Sequence, residues 1–269
     1  MKIDVCGHEA YAYTGGKPFD PALPCLVMVH GALHDHSVWT LLARWFAHHG
    51  LGVLALDLPG HGRSGGPSLA SIEHSADWLL AVLDAADVAT AAVAGHSMGS
   101  LIGLEAAARA PDRINRLVML GTAYPMKVSD ALFTAAREQP LKAIQWVNNF
   151  SISTSAAKPS YPGPGAWLHG SNQVLMERQV AQAQRELGTC LFTHDFQVCN
   201  QYAGGLQAAA QVRCPVHFIL GARDEMTSPR ASRELAAALN ARVVTLPAGH
   251  HLMAEAPDAV LAAMRAALA

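Results

Sequence analysis

From Ala91 to Arg109 the chain reads AAVAGHSMGSLIGLEAAAR. A short apolar run (Ala91 to Ala94) meets an alanine-rich, helix-forming segment (Leu101 to Arg109, stopped by Pro111) through Gly95-His96-Ser97-Met98-Gly99. The pattern G-x-S-x-G gains meaning only from that strand–turn–helix setting, in which a serine forced into a tight turn needs neighbours without side chains. Gly62-Arg63-Ser64-Gly65-Gly66 fits the same pattern and supplies the control. It follows a loop and runs into Pro67 with no helix attached, so Ser64 reads as a turn residue.

Outward from Ser97 the same alternation repeats. Buried-type strands are expected at Cys25 to His30, Val53 to Leu56, Leu117 to Leu120, Val216 to Leu220 and Val243 to Leu246. Between them lie helical segments around Val38 to Phe46, Trp78 to Leu83, Arg230 to Leu239 and Pro257 to Leu268. Strands alternating with helices imply an α/β fold, a mostly parallel central sheet flanked by helices. The first residues alternate like a hairpin, with Gly7 and His8 at its turn and Gly15-Gly16 closing the second arm. Residues 123–212 break the alternation. They hold helix-like pieces at about 129–149 and 172–187 around a Pro/Gly/Ser-rich link, Ser151 to Gly165, and read as a helical cap inserted into a core of 1–122 and 213–269.

The 269 residues are 51% hydrophobic and 15% charged, with a formal charge of −2. This is a globular composition, without the basic field that a nucleic acid or an anionic membrane would require. Five cysteines, none in a C-x-x-C pair, point to a reducing compartment. The first residues, MKIDVCGHEAYAY, lack the apolar run of a signal peptide, so a cytoplasmic protein is expected. Fourteen histidines invite a metal, but His30, His34, Asp35 and His36 lack a hydrolase metal register, and there is no His-Glu-x-x-His. Gly60 to Gly66 lacks the lysine of a phosphate loop. No metal and no cofactor are expected.

A serine hydroxyl is a poor nucleophile and needs a base oriented by an acid. Two later strand ends offer them: Asp224-Glu225 after Val216 to Leu220, and His250-His251 after Val243 to Leu246. In a parallel sheet these ends share one edge, so Ser97, Asp224 and His250 can converge across separations of 127 and 26 residues. Four stretches then resemble the α/β-hydrolase superfamily over nearly the whole chain, the cap being least matched. They are His30-Gly31, Asp57 to Ser64, Gly95 to Gly99, and the Asp224 and His250 loops.

The resemblance implies Ser97 as nucleophile, His250 (five residues before Glu255) as general base and acid, and Asp224 as its orienting carboxylate. Family members that keep the acid after the preceding strand offer no alternative, since Gly121 and Thr122 stand there. It also implies an oxyanion hole from the backbone N–H of Met98 and of Ala32, with Leu33 next in line, and a support role for His30. Leu33, Trp146, Trp167 and His251 are the expected substrate contacts. Charges in the cap nearly balance, which favours a neutral, fairly apolar small-molecule ester. Lactonase, thioesterase, carbon–carbon hydrolase, aminopeptidase, perhydrolase and hydroxynitrile lyase chemistry remain open on the same triad, as does mere ligand binding, and oligomeric state is not legible.

Overall fold

The computed structural model describes residues 1–153 and 164–269. Among these residues eight strands form one sheet: β1 (Lys2–Val5), β2 (His8–Tyr13), β3 (Cys25–Val29), β4 (Gly52–Leu56), β5 (Ala91–His96), β6 (Ile114–Leu120), β7 (Val216–Gly221) and β8 (Arg242–Leu246). Their spatial order is β1-β2-β4-β3-β5-β6-β7-β8. Only β1–β2 and β2–β4 pair antiparallel; all the others are parallel. The hairpin turn is Cys6-Gly7 rather than Gly7-His8, because Val5 pairs with His8. Both turn residues have positive φ (54° and 80°), which matches the twist of a two-residue hairpin loop.

Every residue of β3, β4 and β5 is buried. Successive side chains of a strand point to opposite faces, and the core divides accordingly. Val27, Val29 and Val93 pack on one face with helices α2 (Ile72–Ala85) and α3 (Met98–Arg109). Leu26, Met28 and Ala94 pack on the other with α1 (Thr40–Ala47) and α11 (Pro257–Leu268). The Ser71 hydroxyl caps α2 by accepting from His74 N, a contact of the kind that contributes about 1 kcal/mol.

Between β6 and β7 lie α4 (Asp130–Glu138), α5 (Pro140–Ser151), α6 (Pro164–Leu187), α7 (Leu191–Gln201) and α8 (Gly205–Ala209). The single helix expected at 129–149 is two, since Pro140 has no N–H to continue α4 and instead starts α5. The stretch 188–212, unassigned from sequence, supplies α7 and α8. Most of the expected link Ser151 to Gly165 lies outside the described residues. The cap has its own apolar cluster, built from Ala135, Ile144, Val147, Met176, Leu191, Phe192 and Phe196, and it takes in Leu33 from the core. Val198, Cys199, Ala208 and Ala209 join the main core instead. Short α9 (Arg233–Ala238) and α10 (Leu252–Glu255) complete the chain. No helix among the described residues is long and apolar enough to cross a membrane.

Candidate active site

Ser97 is the hinge between β5 and α3, with φ 51° and ψ −117°. That backbone region costs a residue with a Cβ on the order of 1–3 kcal/mol, so the surroundings must enforce it. Two close approaches do so. A Cβ on Gly95 would stand 2.6 Å from Ser100 Cα, and one on Gly99 would stand 2.5 Å from the His30 carbonyl oxygen. The turn leaves Ser97 facing a cavity of about 60 Å³ lined also by Gly31, Ala32, His34, His96, His250 and Thr227, with Met126, Val128, Val147, Phe196, Cys199 and Met226 as its apolar wall. By contrast Ser64 is wholly structural: its hydroxyl donates to Asp57 O (2.6 Å) and accepts from Tyr11 N (2.8 Å).

His250 and Asp224 meet as expected, Nδ1 to Oδ2 at 2.9 Å. The other Asp224 oxygen accepts from the amides of Met226 (2.9 Å) and Thr227 (2.7 Å). Burial would push the Asp224 carboxyl up, but electrostatic attraction to His250 and the hydrogen bond from it, with the Thr227 bonds, hold it below the ordinary value. Thr227 was not singled out from sequence. Its hydroxyl lies 2.7 Å from Asp224 Oδ2, 2.9 Å from His250 Nδ1 and 2.8 Å from Gly121 O. Its position three residues after the acid, at the end of a tight turn, is the only signal it carried. Ser97 and His250 both line this cavity, and no hydrogen bond between their side chains is among those described; a contact between such groups often tightens only around a bound substrate.

The histidine loop is tied to the end of α5. His251 N donates to Ser151 O (2.9 Å), and Glu255 accepts from the Ser153 hydroxyl (2.6 Å) and from Gly249 N (3.1 Å). His96, between Gly95 and Ser97, donates its Nε2–H to the His250 carbonyl (2.9 Å), and burial keeps it neutral. His30 accepts from Leu58 N on Nε2 (3.1 Å), so its proton is on Nδ1, donated to Gly31 O (2.8 Å). It thereby holds the loop that carries Ala32.

Ala32 lines the cavity beside Ser97, and Met98 N is the first amide of α3, without an intrahelical partner. Leu33 N is already engaged, donating to Asp195 Oδ2 at 2.9 Å. None of the four expected substrate contacts lines this cavity. Leu33 is fully buried in the cap cluster. Trp146 borders a neighbouring groove with Phe150 and Glu225. His251 stacks on His34 (ring centroids 5.4 Å) and faces a separate groove beside Leu41 and Leu175. Trp167 is 75% exposed. The reason for the last is angular: the buried stripe of α6 runs Asn172, Met176, Gln179, Ala183, and a residue five positions before Asn172 falls about 140° away from it.

Asp35, His36 and Asp57 form a cluster of metal-ligand type, their donor atoms within 4.8 Å of one another. Internal hydrogen bonds occupy its carboxylates. Asp57 takes His36 N, His36 Nδ1 and Arg63 N, and Asp35 takes Ser37 N and Gln179 Nε2. This cluster joins the core loops to α6.

A strained serine at a strand–helix turn and a histidine–carboxylate pair at two later strand ends define a class. The family model described as alpha/beta hydrolase fold matches residues 24–257, and the chain belongs to that family. Among curated relatives, it is 26% identical over 237 residues to the putative carbamate hydrolase RutD of Klebsiella pneumoniae, covering 86% of this chain and 85% of that one. It is 32% identical over 100 residues to (E)-2-((N-methylformamido)methylene)succinate hydrolase of Acinetobacter baylyi, covering 37% of this chain. The chain spans 28%, 38% and 36% of the length of the first three curated relatives it matches. Two solved structures share its fold. The enol-lactonase of Burkholderia xenovorans has TM-score 0.83 and 23% identity, covering 100% of this chain and 99% of that one. The thermophilic esterase of Thermogutta terrifontis has TM-score 0.80 and 19% identity, covering 100% and 97%.

Proposed function

We propose that the protein is a serine hydrolase that cleaves a carboxylic ester of a small, fairly apolar acyl group through an acyl-enzyme. The observation that carries this reading is the 2.9 Å His250–Asp224 contact at the cavity onto which Ser97 turns. Asp224 accepts from Nδ1–H, which leaves the Nε2 lone pair to take the Ser97 proton as Oγ attacks the carbonyl carbon. The negative charge on the carbonyl oxygen is met by the N–H groups of Met98 and Ala32, the former at the positive end of α3. His250 then gives its proton to the leaving alcohol, and water activated by the same nitrogen releases the acid.

The apolar wall and small volume of the cavity support an acyl chain of a few carbons. Five unpaired thiols support a reducing compartment such as the cytoplasm. The carbamate and enol-lactone named for relatives would use the same attack on a carbonyl.

Turnover of p-nitrophenyl esters from acetate to decanoate, by wild type and by Ser97→Ala, tests the reading. Activity should peak at short chains and fall at least about 10³-fold in a folded Ser97→Ala variant. Retention of most activity by that variant, or a wild type that neither hydrolyses these esters nor reacts with a fluorophosphonate, would overturn it.

A further inference from the structure

Asp195 lies on α7 and is 1% exposed. Its Oδ2 accepts from Leu33 N and from His61 Nε2, each at 2.9 Å. The other ring nitrogen of His61, Nδ1, stands 3.1 Å from the Pro59 carbonyl. A carboxylate and a carbonyl can only accept, so both ring nitrogens carry protons and His61 is an imidazolium. Burial opposes that charge, but Asp195 outweighs it and raises the proton affinity of His61 above the ordinary value. Neighbouring His30, 5.0 Å away ring to ring, is neutral.

This buried pair sits where it can govern chemistry. Leu33 directly follows Ala32 and has φ 60°, a left-handed conformation that a branched side chain disfavours by about 1–2 kcal/mol. Two anchors hold it there: a side chain locked in the cap cluster, and the amide bonded to Asp195. With the Leu33 amide turned toward α7, the N–H of Ala32 is left for the Ser97 cavity. His61, Asp195 and Met98 also border one small void, so the pair lies near Met98 as well as against the Leu33 amide that follows Ala32. A lone buried carboxylate at that place would oppose negative charge developing in the hole. The imidazolium cancels it.

We propose that Asp195, neutralised by His61, is the positioning residue of the oxyanion hole: it anchors the Leu33 amide from the cap, so the hole is complete only when α7 is seated on the core. This rests on the reading of Ser97 as nucleophile with Met98 and Ala32 as donors. It makes a cap residue act on the acceleration step rather than on substrate binding alone.

The test uses the full chain with p-nitrophenyl butyrate, and fluorophosphonate labelling to report the serine. In Asp195→Leu, kcat should fall on the order of 10²-fold with KM changed less than about threefold, as for loss of an oxyanion donor. The Ki of butaneboronic acid, which forms a tetrahedral adduct, should rise in parallel. Asp195→Asn keeps an oxygen for Leu33 N–H and should recover to within about fivefold of wild type. Because the leucine alone strands a buried charge and can cost the fold, the double variant Asp195→Leu/His61→Leu removes both charges together and should fold, with the same kcat loss. Wild-type kcat in either leucine variant, a loss confined to KM, or an asparagine variant as impaired as leucine would overturn the proposal. An inactive, unlabelled wild type would instead overturn the serine-hydrolase reading and the inference with it.

Discussion

Thr227→Val removes one hydroxyl and little else, and the consequences can be worked from three distances. Thr227 Oγ1 is 2.7 Å from Asp224 Oδ2, 2.8 Å from Gly121 O and 2.9 Å from His250 Nδ1. With one proton it donates to one oxygen at a time, and it can accept a share of the His250 Nδ1–H. The bond to the carboxylate is the stronger, being charge-assisted. Its loss costs about 1.5–3 kcal/mol, while His250 and the amides of Met226 and Thr227 keep Asp224 charged and bound. A loss of about 2 kcal/mol in a chain of this size lowers Tm by roughly 4–8 °C. The imidazole keeps its tautomer but loses one of two restraints, so kcat should fall about tenfold, or about 1.4 kcal/mol, with KM unchanged. Calorimetry and p-nitrophenyl butyrate kinetics read both effects. Unchanged Tm and kcat would mean that the hydroxyl plays no part in this network. A loss of about 10³-fold or more, matching Asp224→Asn, would mean that the Thr227 hydroxyl is as necessary to the orientation of the ring as Asp224 is, and would refute its assignment as a secondary restraint.

Two further outcomes follow from packing and burial. Gly99→Ala places a Cβ 2.5 Å from the His30 carbonyl, where only backbone could yield, and should cost at least about 1–3 kcal/mol together with most of the proposed turnover of p-nitrophenyl butyrate. Gly170→Ala on α6 meets nothing within 4 Å and should stabilise by about 0.5–1 kcal/mol; equal melting of the two variants would contradict the steric reading. For pH, burial pushes His251 down to about 3 from 6.5, with His34 and His250 adding to the effect. The unfolded chain therefore takes up this proton first, and stability is lost as pH falls from about 6.5 toward 3. The difference of 3.5 units sets a ceiling of about 5 kcal/mol. His61 has the opposite sign: raised in the fold, its contribution is complete below 6.5 and is lost as pH rises through its folded value. Urea melts from pH 3 to 9 should show both limbs, and an acid limb of equal slope in His251→Phe would exclude His251 as its source.

The legible part of the molecule was the part specified locally. Ser97, Asp224 and His250 each stand within a few residues of a strand end, and buried strands such as Cys25–Val29 announce themselves by continuous apolar runs. The cap was less legible for two reasons. Pro140 divides one apolar period into two helices, and α7 (LFTHDFQVCNQ) carries aromatic, β-branched, His and Asp residues of middling helix propensity. Trp167 misled because aromatic character says nothing about which side of a helix it occupies. Asp195 was invisible for a stricter reason: its partners Leu33 and His61 lie 162 and 134 residues away, and no local pattern encodes such a pairing.

Those distant contacts are not scattered. From the cap, Ser151 O and Ser153 reach the histidine loop at His251 and Glu255, while Asp195 reaches the loop after β3 at Leu33. Asn172 and Gln179 of α6 bond His34 and Asp35 on that same loop. The cap therefore grips the two loops that carry His250 and Ala32. It makes no described hydrogen bond to the Ser97–Gly99 turn, which the close approach of β5, α3 and the end of β3 already holds. On this arrangement the Ser97 turn is held by the core, whereas the placement of His250 and of the Ala32 N–H, the proposed base and oxyanion donor, depends on the cap. A change in the cap is thus expected to alter the rate of the proposed reaction without moving Ser97, which is why the cap bonds to these loops matter as much as its apolar wall.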